Sequence, residues 1–457
     1  MIPARERSDA STDLEDRHAR PSVQFVLTLG ALGAIAPLTI DTYLPAFPSI
    51  TRDLETTSAA VQLTLTGTLV GLALGQLAIG PVSDAIGRKR PLIAGIAVHV
   101  LASLLCVIAP NVMVLGVLRV LQGLGVAAAT VVGTAIVRDV SSGVGAAKLM
   151  SRLMLVMGVA PVLAPTLGGA ILRLTSWRGV FLALAGLGLM LAVIAITALP
   201  ETLPVAHRRS GGVKSTLRSY GSLFSDRIFI GYVLLTGFAM GAIFAYVAGS
   251  SFVFQDQYGL SEQQFALAFG AGSIALIAAS QLNGRLLHRY PPRRILSAAS
   301  AFGLLSGLTL VVVAATGAGG LPGLLAPMWA TLAAAGLIMP NAPALALSRH
   351  GENAGAAAAL LGSVQFGVGA ITAPLVGVLG VDALAMGSVV AGSVVAAGLA
   401  LVIGVRPWRA ADAAPNAAPI HADPNAAPIH ADRNADPMSE LDGIDTSDDW
   451  EPVAAPA

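Results

Sequence analysis

The chain has 457 residues, 55% of them hydrophobic and 12% charged, with a formal net charge of +1 and a mean hydropathy of +0.74. Soluble domains carry about 25% charged residues, so this composition excludes a water-facing globular fold. The balanced charge has no basic patch for nucleic acid, and the single cysteine, Cys106, excludes a disulfide framework or a cysteine-rich metal site.

Residues 1–22 are polar, with Arg5, Arg7, Arg17 and Arg20 set against Glu6, Asp9, Asp13, Glu15 and Asp16. This is not the short basic region and apolar core of a secretory signal. From residue 23 onward, twelve apolar blocks follow, near 23–45, 58–82, 91–109, 112–137, 150–172, 177–199, 228–252, 263–283, 295–316, 322–347, 354–379 and 382–405. Each is close to the ~20 residues a helix needs to cross ~30 Å of hydrocarbon. The 50 Gly and 27 Pro recur inside the blocks, as spanning helices tolerate when neighbours satisfy the freed backbone groups. The tightest turn, Ala109–Pro110–Asn111, has to join two antiparallel spans.

Alternating the spans puts 22 of the 27 Lys and Arg on one side of the bilayer and three, Arg52, Arg173 and Arg178, on the other. Arg119 lies inside a span and Arg433 far out in the tail. Cationic loops mark the cytoplasmic side, so both termini are expected there. The polar stretch 200–227 separates an N-terminal six-helix half, 23–199, from a C-terminal half, 228–405. The halves echo each other. Gly80–Leu92 after span two has a counterpart in Gly284–Leu296 after span eight, 204 positions on, and Ala164-Pro165-Thr166-Leu167-Gly168 has one in Ala373-Pro374-Leu375-Val376-Gly377, 209 positions on. Repeated halves place a substrate site near the midplane between them. Residues 406–457 form a tail in which Pro415–Asp423 repeats at once as 424–432, and ten acidic residues from 410 onward face Arg433 alone. Such a composition cannot bury a core and is expected to be disordered. Its His421 and His430 make a poor metal site.

Within the spans, Asp41 sits in Leu38-Thr39-Ile40-Asp41-Thr42-Tyr43-Leu44-Pro45. Burial raises a carboxyl pKa and a nearby cation lowers it. A carboxylate held between the two can exchange protons near neutral pH, which makes Asp41 the first candidate for proton coupling; the alternative is an aspartate at the outer interface. Arg119 in span four heads a polar or small stripe of Gln122, Gly123, Val126, Thr130, Gly133 and Thr134. Intramembrane charges usually face a cavity or a partner, although an arginine two turns into a span can also snorkel outward.

The segment after span two, Gly80-Pro81-Val82-Ser83-Asp84-Ala85-Ile86-Gly87-Arg88-Lys89-Arg90-Pro91-Leu92, resembles the signature loop G-x-L-A-D-R-x-G-R-K-x-x-L of the major facilitator superfamily. Gly80, Asp84, Gly87, Arg88, Lys89 and Leu92 match, whereas Ala85 replaces the usual arginine. Gly87 permits a tight turn, and Asp84 can pair with a cation or helix N-terminus in a latch that breaks as the halves rock. Arg119-Val120-Leu121-Gln122-Gly123 is similar to the R-x-x-Q-G signature of proton-coupled members. In span five Gly158, Pro161, Pro165, Gly168 and Gly169 resemble the G-P-x-x-G-G antiporter signature of drug exporters, with Ala164 in place of its first glycine. Together with Ile40–Pro48, Ala135–Asp139 and Ala160–Pro165, these segments resemble the Bcr/CflA drug-resistance subgroup over residues ~23–405.

The resemblance implies an all-α membrane protein with twelve transmembrane helices in two six-helix halves, the major facilitator fold. It also implies a drug:proton antiporter in the bacterial cytoplasmic membrane, working by alternating access on small amphiphiles such as phenicols or bicyclomycin. The expected partners are a small drug-like molecule, protons and the lipid bilayer; a monomer is expected, with no cofactor and no metal. Cavities for amphiphiles want apolar and aromatic walls with few polar groups. Candidates are Tyr43, Gln122, Phe238, Phe244, Tyr246, Asn341, Gln365 and Phe366. The alternative is an exporter of a specific metabolite, such as an amino acid, a sugar or an endogenous secondary metabolite, which calls for more convergent polar groups than these. An integral membrane enzyme is disfavoured, because His18, His99, His207, His288 and His350 have no second ligand at metal spacing.

Overall fold

The computed structural model describes residues 23–141, 143–208, 220–350 and 353–406. Both expected tails, and the middle of the 200–227 stretch, lie outside the described residues. The described chain is helical, with no strand. Twelve long helices follow in order: α1 Val23–Asp41, α2 Ser58–Ile86, α3 Lys89–Val107, α4 Val112–Val140, α5 Gly143–Leu174, α6 Trp177–Ala198, α7 Arg227–Phe252, α8 Glu262–Leu287, α9 Pro292–Thr316, α10 Gly320–Leu347, α11 Ala354–Leu379 and α12 Ala383–Leu399. Eleven are long and apolar enough to cross a membrane over their whole span; in α5 the apolar part is Gly158–Leu174.

Local chemistry sets the helix ends. Thr57 and Asn111 accept from the backbone N–H three residues on to start α2 and α4, and Asp226 accepts from Ile228 and Phe229 to start α7. Ser261 and Gln264 form a capping box at α8. Gly87, at φ 100, ends α2 in a backbone shape that side chains with a Cβ rarely adopt. The structure departs from the sequence expectation at α5, which begins at Gly143 rather than near 150 because helix formation does not stop where apolarity does. The first block also breaks earlier than expected. After Asp41 a 3₁₀ turn, Leu44–Ala46, leads into a short helix, Phe47–Asp53, with Pro45 and Pro48 at the first turns, where a missing N–H costs nothing.

Helix pairing repeats with an offset of six. The pairs α2–α4, α3–α4, α3–α6 and α1–α5 recur as α8–α10, α9–α10, α9–α12 and α7–α11. The two sets of six meet through α2–α11 and α5–α8. The α2–α4 seam is a backbone-to-backbone contact. A methyl group at Gly67 would stand 2.6 Å from the Gly116 carbonyl, and one at Gly71 would overlap the Val120 carbonyl and stand 2.7 Å from the Leu124 nitrogen. From the other side Gly123 lies on the Thr68 backbone. Lipid is as apolar as the helices, so close packing of small residues has to supply the association that the hydrophobic effect supplies in water.

Four side-chain hydrogen bonds, counted among the described residues, join the two sets at the end of the bundle that carries the α1–α2 connection. Gln62 donates to the Ala248 carbonyl at 3.1 Å, Ser251 to the Leu44 carbonyl at 2.7 Å, Gln255 to the Pro45 carbonyl at 3.4 Å and Gln263 to the Gly169 carbonyl at 3.3 Å. That end is therefore held shut.

Candidate functional site

Arg119 is fully buried in α4, so it does not snorkel. Its Nη1 donates to Gln122 Oε1 at 2.5 Å and to the Thr39 carbonyl at 3.2 Å. Gln122 passes the chain on to Ser103 Oγ at 2.6 Å, and Ser103 donates to the His99 carbonyl at 2.7 Å. The guanidinium carbon lies 4.3 Å from the centre of the Tyr43 ring and 5.7 Å from that of Phe181. The Tyr43 hydroxyl shares a hydrogen bond with Thr64, which fixes the ring beneath the charge. Among the described residues no carboxylate lies within ion-pair distance of Arg119. A desolvated cation therefore rests on an aromatic face, an attraction of about 2 kcal/mol in dry surroundings. Tyr43 and Gln122 serve Arg119; neither lines an open cavity.

Asp41, at the end of α1, is 6% exposed. Among the described residues no hydrogen bond or ion pair reaches its carboxylate, so it is not paired with Arg119. The two buried charges thus occupy separate environments. The expected balance of burial against a neighbouring cation is absent, and burial alone acts on the carboxylate.

The span-five glycines and prolines connect these regions. Gly168 lies against the Thr42 carbonyl and 3.3 Å, as a virtual methyl, from Pro45; on the other face Gly169 approaches Glu262 and Gly158 approaches Ile277, both of α8. The small residues of α5 thus let it touch the Asp41 segment and α8 at once, around Pro161 and Pro165.

The loop after α2 is a charged clasp. Arg88 donates to both Asp139 oxygens, at 2.8 and 3.3 Å, to Asp84 at 2.5 Å and to Ser83 at 2.9 Å. The Glu201 carboxylate accepts from the Arg88, Leu203 and Lys89 backbone nitrogens at 2.8, 3.1 and 3.2 Å, and the Lys89 ammonium donates to the Ile196 carbonyl. Every one of these partners belongs to α2–α4, α6 or the segment after it. In this conformation the clasp binds the first six helices to one another and is not a latch across the two sets. Asp139 is a second carboxylate on Arg88 beside Asp84, and the leg usually supplied by an arginine at Ala85 stays empty. The sequence signal of Asp139 was an acid directly after Arg138 at a span end. Gly80 has open space around it, and nothing in the structure explains a glycine there.

Burial pushes the Glu201 carboxyl up, but the three backbone N–H groups and Arg208 outweigh it and hold the group below the ordinary glutamate value. A depressed carboxyl stabilises the fold above its unfolded pKa and loses that contribution as pH falls through the folded value. Glu201→Gln is therefore expected to lower the unfolding temperature at neutral pH and to converge with the parent below about pH 4; an unchanged gap across that range would refute the clasp.

The remaining candidates separate. Phe244 and Phe366 face each other at 6.1 Å. Asn341 donates to Asn283 at 2.6 Å and to the Leu337 carbonyl at 2.8 Å, so its amide nitrogen ties α10 to α8. Phe238 was misplaced by sequence reasoning. It lines a groove of about 590 Å³ between α7 and α12, with Phe224, Arg227, Leu234 and Ile403, three of which are exposed on the outside of the bundle. Gln365 is half-buried on α11. Sequence reasoning missed Ser103, Thr64, Asp139, Glu201 and Trp329.

Residues 29–374 match the family model described as Major Facilitator Superfamily. The chain belongs to the major facilitator superfamily. It is 40% identical over 368 residues to the uncharacterized MFS-type transporter YdgK of Bacillus subtilis, covering 79% of this chain and 90% of that one. A bicyclomycin resistance protein homolog of Haemophilus influenzae is 34% identical with the same two coverages. The multidrug resistance protein MdtL of Klebsiella pneumoniae is 29% identical over 86% of this chain and 99% of its own. These relatives support the Bcr/CflA-type assignment. Among solved structures, a bacterial homolog of the lysosomal transporter Spinster, inward-facing and occupied, superposes with TM-score 0.63 at 16% identity over 85% of this chain and 96% of that one. The nucleoside transporter NupG superposes with TM-score 0.67 at 12% identity over 83% and 99%. Both establish the fold. This major facilitator protein is therefore a multi-pass membrane transporter of a small molecule.

Arg119→Lys is expected to lose transport about tenfold to thirtyfold at normal protein level, because lysine has neither the planar fork nor the stacking face that Gln122, Thr39 and Tyr43 engage. Transport by the lysine variant at the parent rate, measured in vesicles, would overturn this reading of the arginine.

Proposed function

We propose that this transporter exports small amphiphilic drug-like molecules, of the phenicol or bicyclomycin kind, in exchange for protons. The observation that carries the proposal is Asp41, a 6% exposed carboxylate inside a spanning segment with no cation to hold it ionised. A buried acid of this kind takes a proton when secluded and gives it up when opened to water or to a competing ligand. The span-five glycines and prolines, of which Gly168 rests on the Asp41 segment, support export in particular, as do the names of the Haemophilus and Klebsiella relatives. The reading places the protein as a single copy in the bacterial cytoplasmic membrane, with the Arg88 clasp and both termini on the cytoplasmic side, as the distribution of Lys and Arg supports.

The test is drug susceptibility of a sensitised host expressing the chain, with and without a protonophore. The expected result is resistance that the protonophore abolishes. Resistance indifferent to the protonophore refutes proton coupling, and no resistance across a broad panel favours export of a specific metabolite.

A further inference from the structure

Two buried polar groups on α7 and α10 have no part in the scheme above. Tyr246 is 2% exposed, and its ring stacks on Phe269 with centroids 5.1 Å apart and lies 6.3 Å from Phe254. The stack fixes the ring, so the hydroxyl cannot swing to find a partner, and no described residue bonds to it. Trp329 Nε1 is likewise buried without a partner. Both groups converge over Gly272 of α8. A methyl group there would stand 3.0 Å from the Tyr246 hydroxyl and 3.2 Å from Trp329 Cδ1, the ring atom bonded to the indole nitrogen. Leaving such groups unmatched costs about 1–3 kcal/mol each, and folded proteins seldom do so without a reason.

We propose that Tyr246 and Trp329 form a donor pair that receives one carbonyl oxygen of a neutral substrate, of the amide or ketone type. An indole N–H only donates, so its partner has to be an acceptor, which rules out an ammonium group. Two donors approaching one point suit the two lone pairs of a carbonyl oxygen. Neither donor carries a charge, so the pair offers no counter-ion to a carboxylate and suits a neutral acceptor. Gly272 keeps α8 from placing a side chain against the pair, where a Cβ would also meet Leu332 at 3.1 Å. This deepens the export reading and rests on it, naming the feature of the exported molecule that the centre of the bundle recognises.

The test uses the full chain in lipid nanodiscs for binding and in liposomes for export. The probes are chloramphenicol, a neutral amide, and its thioamide counterpart, in which a weakly accepting sulfur replaces the amide oxygen. The parent is expected to bind the amide about tenfold tighter than the thioamide, the size of one hydrogen bond of ~1.4 kcal/mol. Tyr246→Phe, which keeps the ring and removes a donor, and Trp329→Phe, which removes a donor together with one ring, are each expected to erase that preference. Gly272→Ala, which keeps both donors and crowds the spot, is expected to weaken both probes alike. Equal affinity of the parent for the two probes, binding of neither, or a preference that survives both phenylalanine variants overturns the donor pair. If the preference and its loss appear as expected but the parent moves neither probe uphill, the export reading falls and the donor pair stands.

Discussion

Asp41→Asn is expected to bind drug but to stop concentrating it. Asparagine keeps the shape and polarity of the side chain and removes its proton, so the variant can still rock between its two openings without carrying charge. One charge crossing 100 mV yields about 2.3 kcal/mol, which supports roughly fifty-fold accumulation. In liposomes with an imposed pH gradient and membrane potential, the parent is expected to approach that ratio. The asparagine variant is expected to settle at a ratio near one, with drug affinity within about threefold. Uphill transport by Asp41→Asn would show that the proton travels elsewhere, and the lone carboxylate 6% exposed in α1 would then need another explanation.

The largest structural effect is expected at the α2–α4 seam. Gly71→Leu pushes a side chain into the Val120 carbonyl and the Leu124 nitrogen. Backbone on a packed helix cannot step aside as a flexible side chain can, so the cost belongs at the upper end of overpacking penalties, about 3 kcal/mol or more. The expected outcome is loss of folded protein in mild detergent, read as a collapse of the monodisperse peak and a fall in unfolding temperature. Gly133→Ala is the matched control, because a methyl group there meets nothing within 4 Å, and it is expected to behave as the parent. Equal behaviour of the two variants would refute the seam.

Much of this was legible in the residues because hydrocarbon imposes a length on every span and cations mark one face of the membrane. The order of the helices and the turn at Ala109–Pro110–Asn111 follow from those two constraints. The rotation of each helix about its axis does not. A helix that is apolar on every side carries no stripe to say which way it faces, which is why Phe238 was expected in a central cavity and lines an outer groove. Tertiary partners were equally hidden. Arg119 meets the Tyr43 ring, from a segment 76 positions away, and Glu201 closes on Arg88 from beyond four helices. No local spacing encodes either contact. The start of α5 was missed for the opposite reason, since helix propensity carries on through polar residues that apolarity counting discards.

The hydrogen bonds that seal the α1–α2 end come from uncharged amides and hydroxyls: Gln62, Ser251, Gln255 and Gln263 on four backbone oxygens. Neutral hydrogen bonds contribute about 1 kcal/mol each, so the whole closure is of the same order as the work delivered by one ion. Arg52 and Arg173 face Asp256 and Glu262 across the same end, but no pair of them closes to ion-pair distance, so dissolved salt has only this longer-range attraction to screen. Turnover limited by unsealing this face should therefore respond more to temperature than to ionic strength, a kinetic signature that a gate of direct ion pairs would reverse.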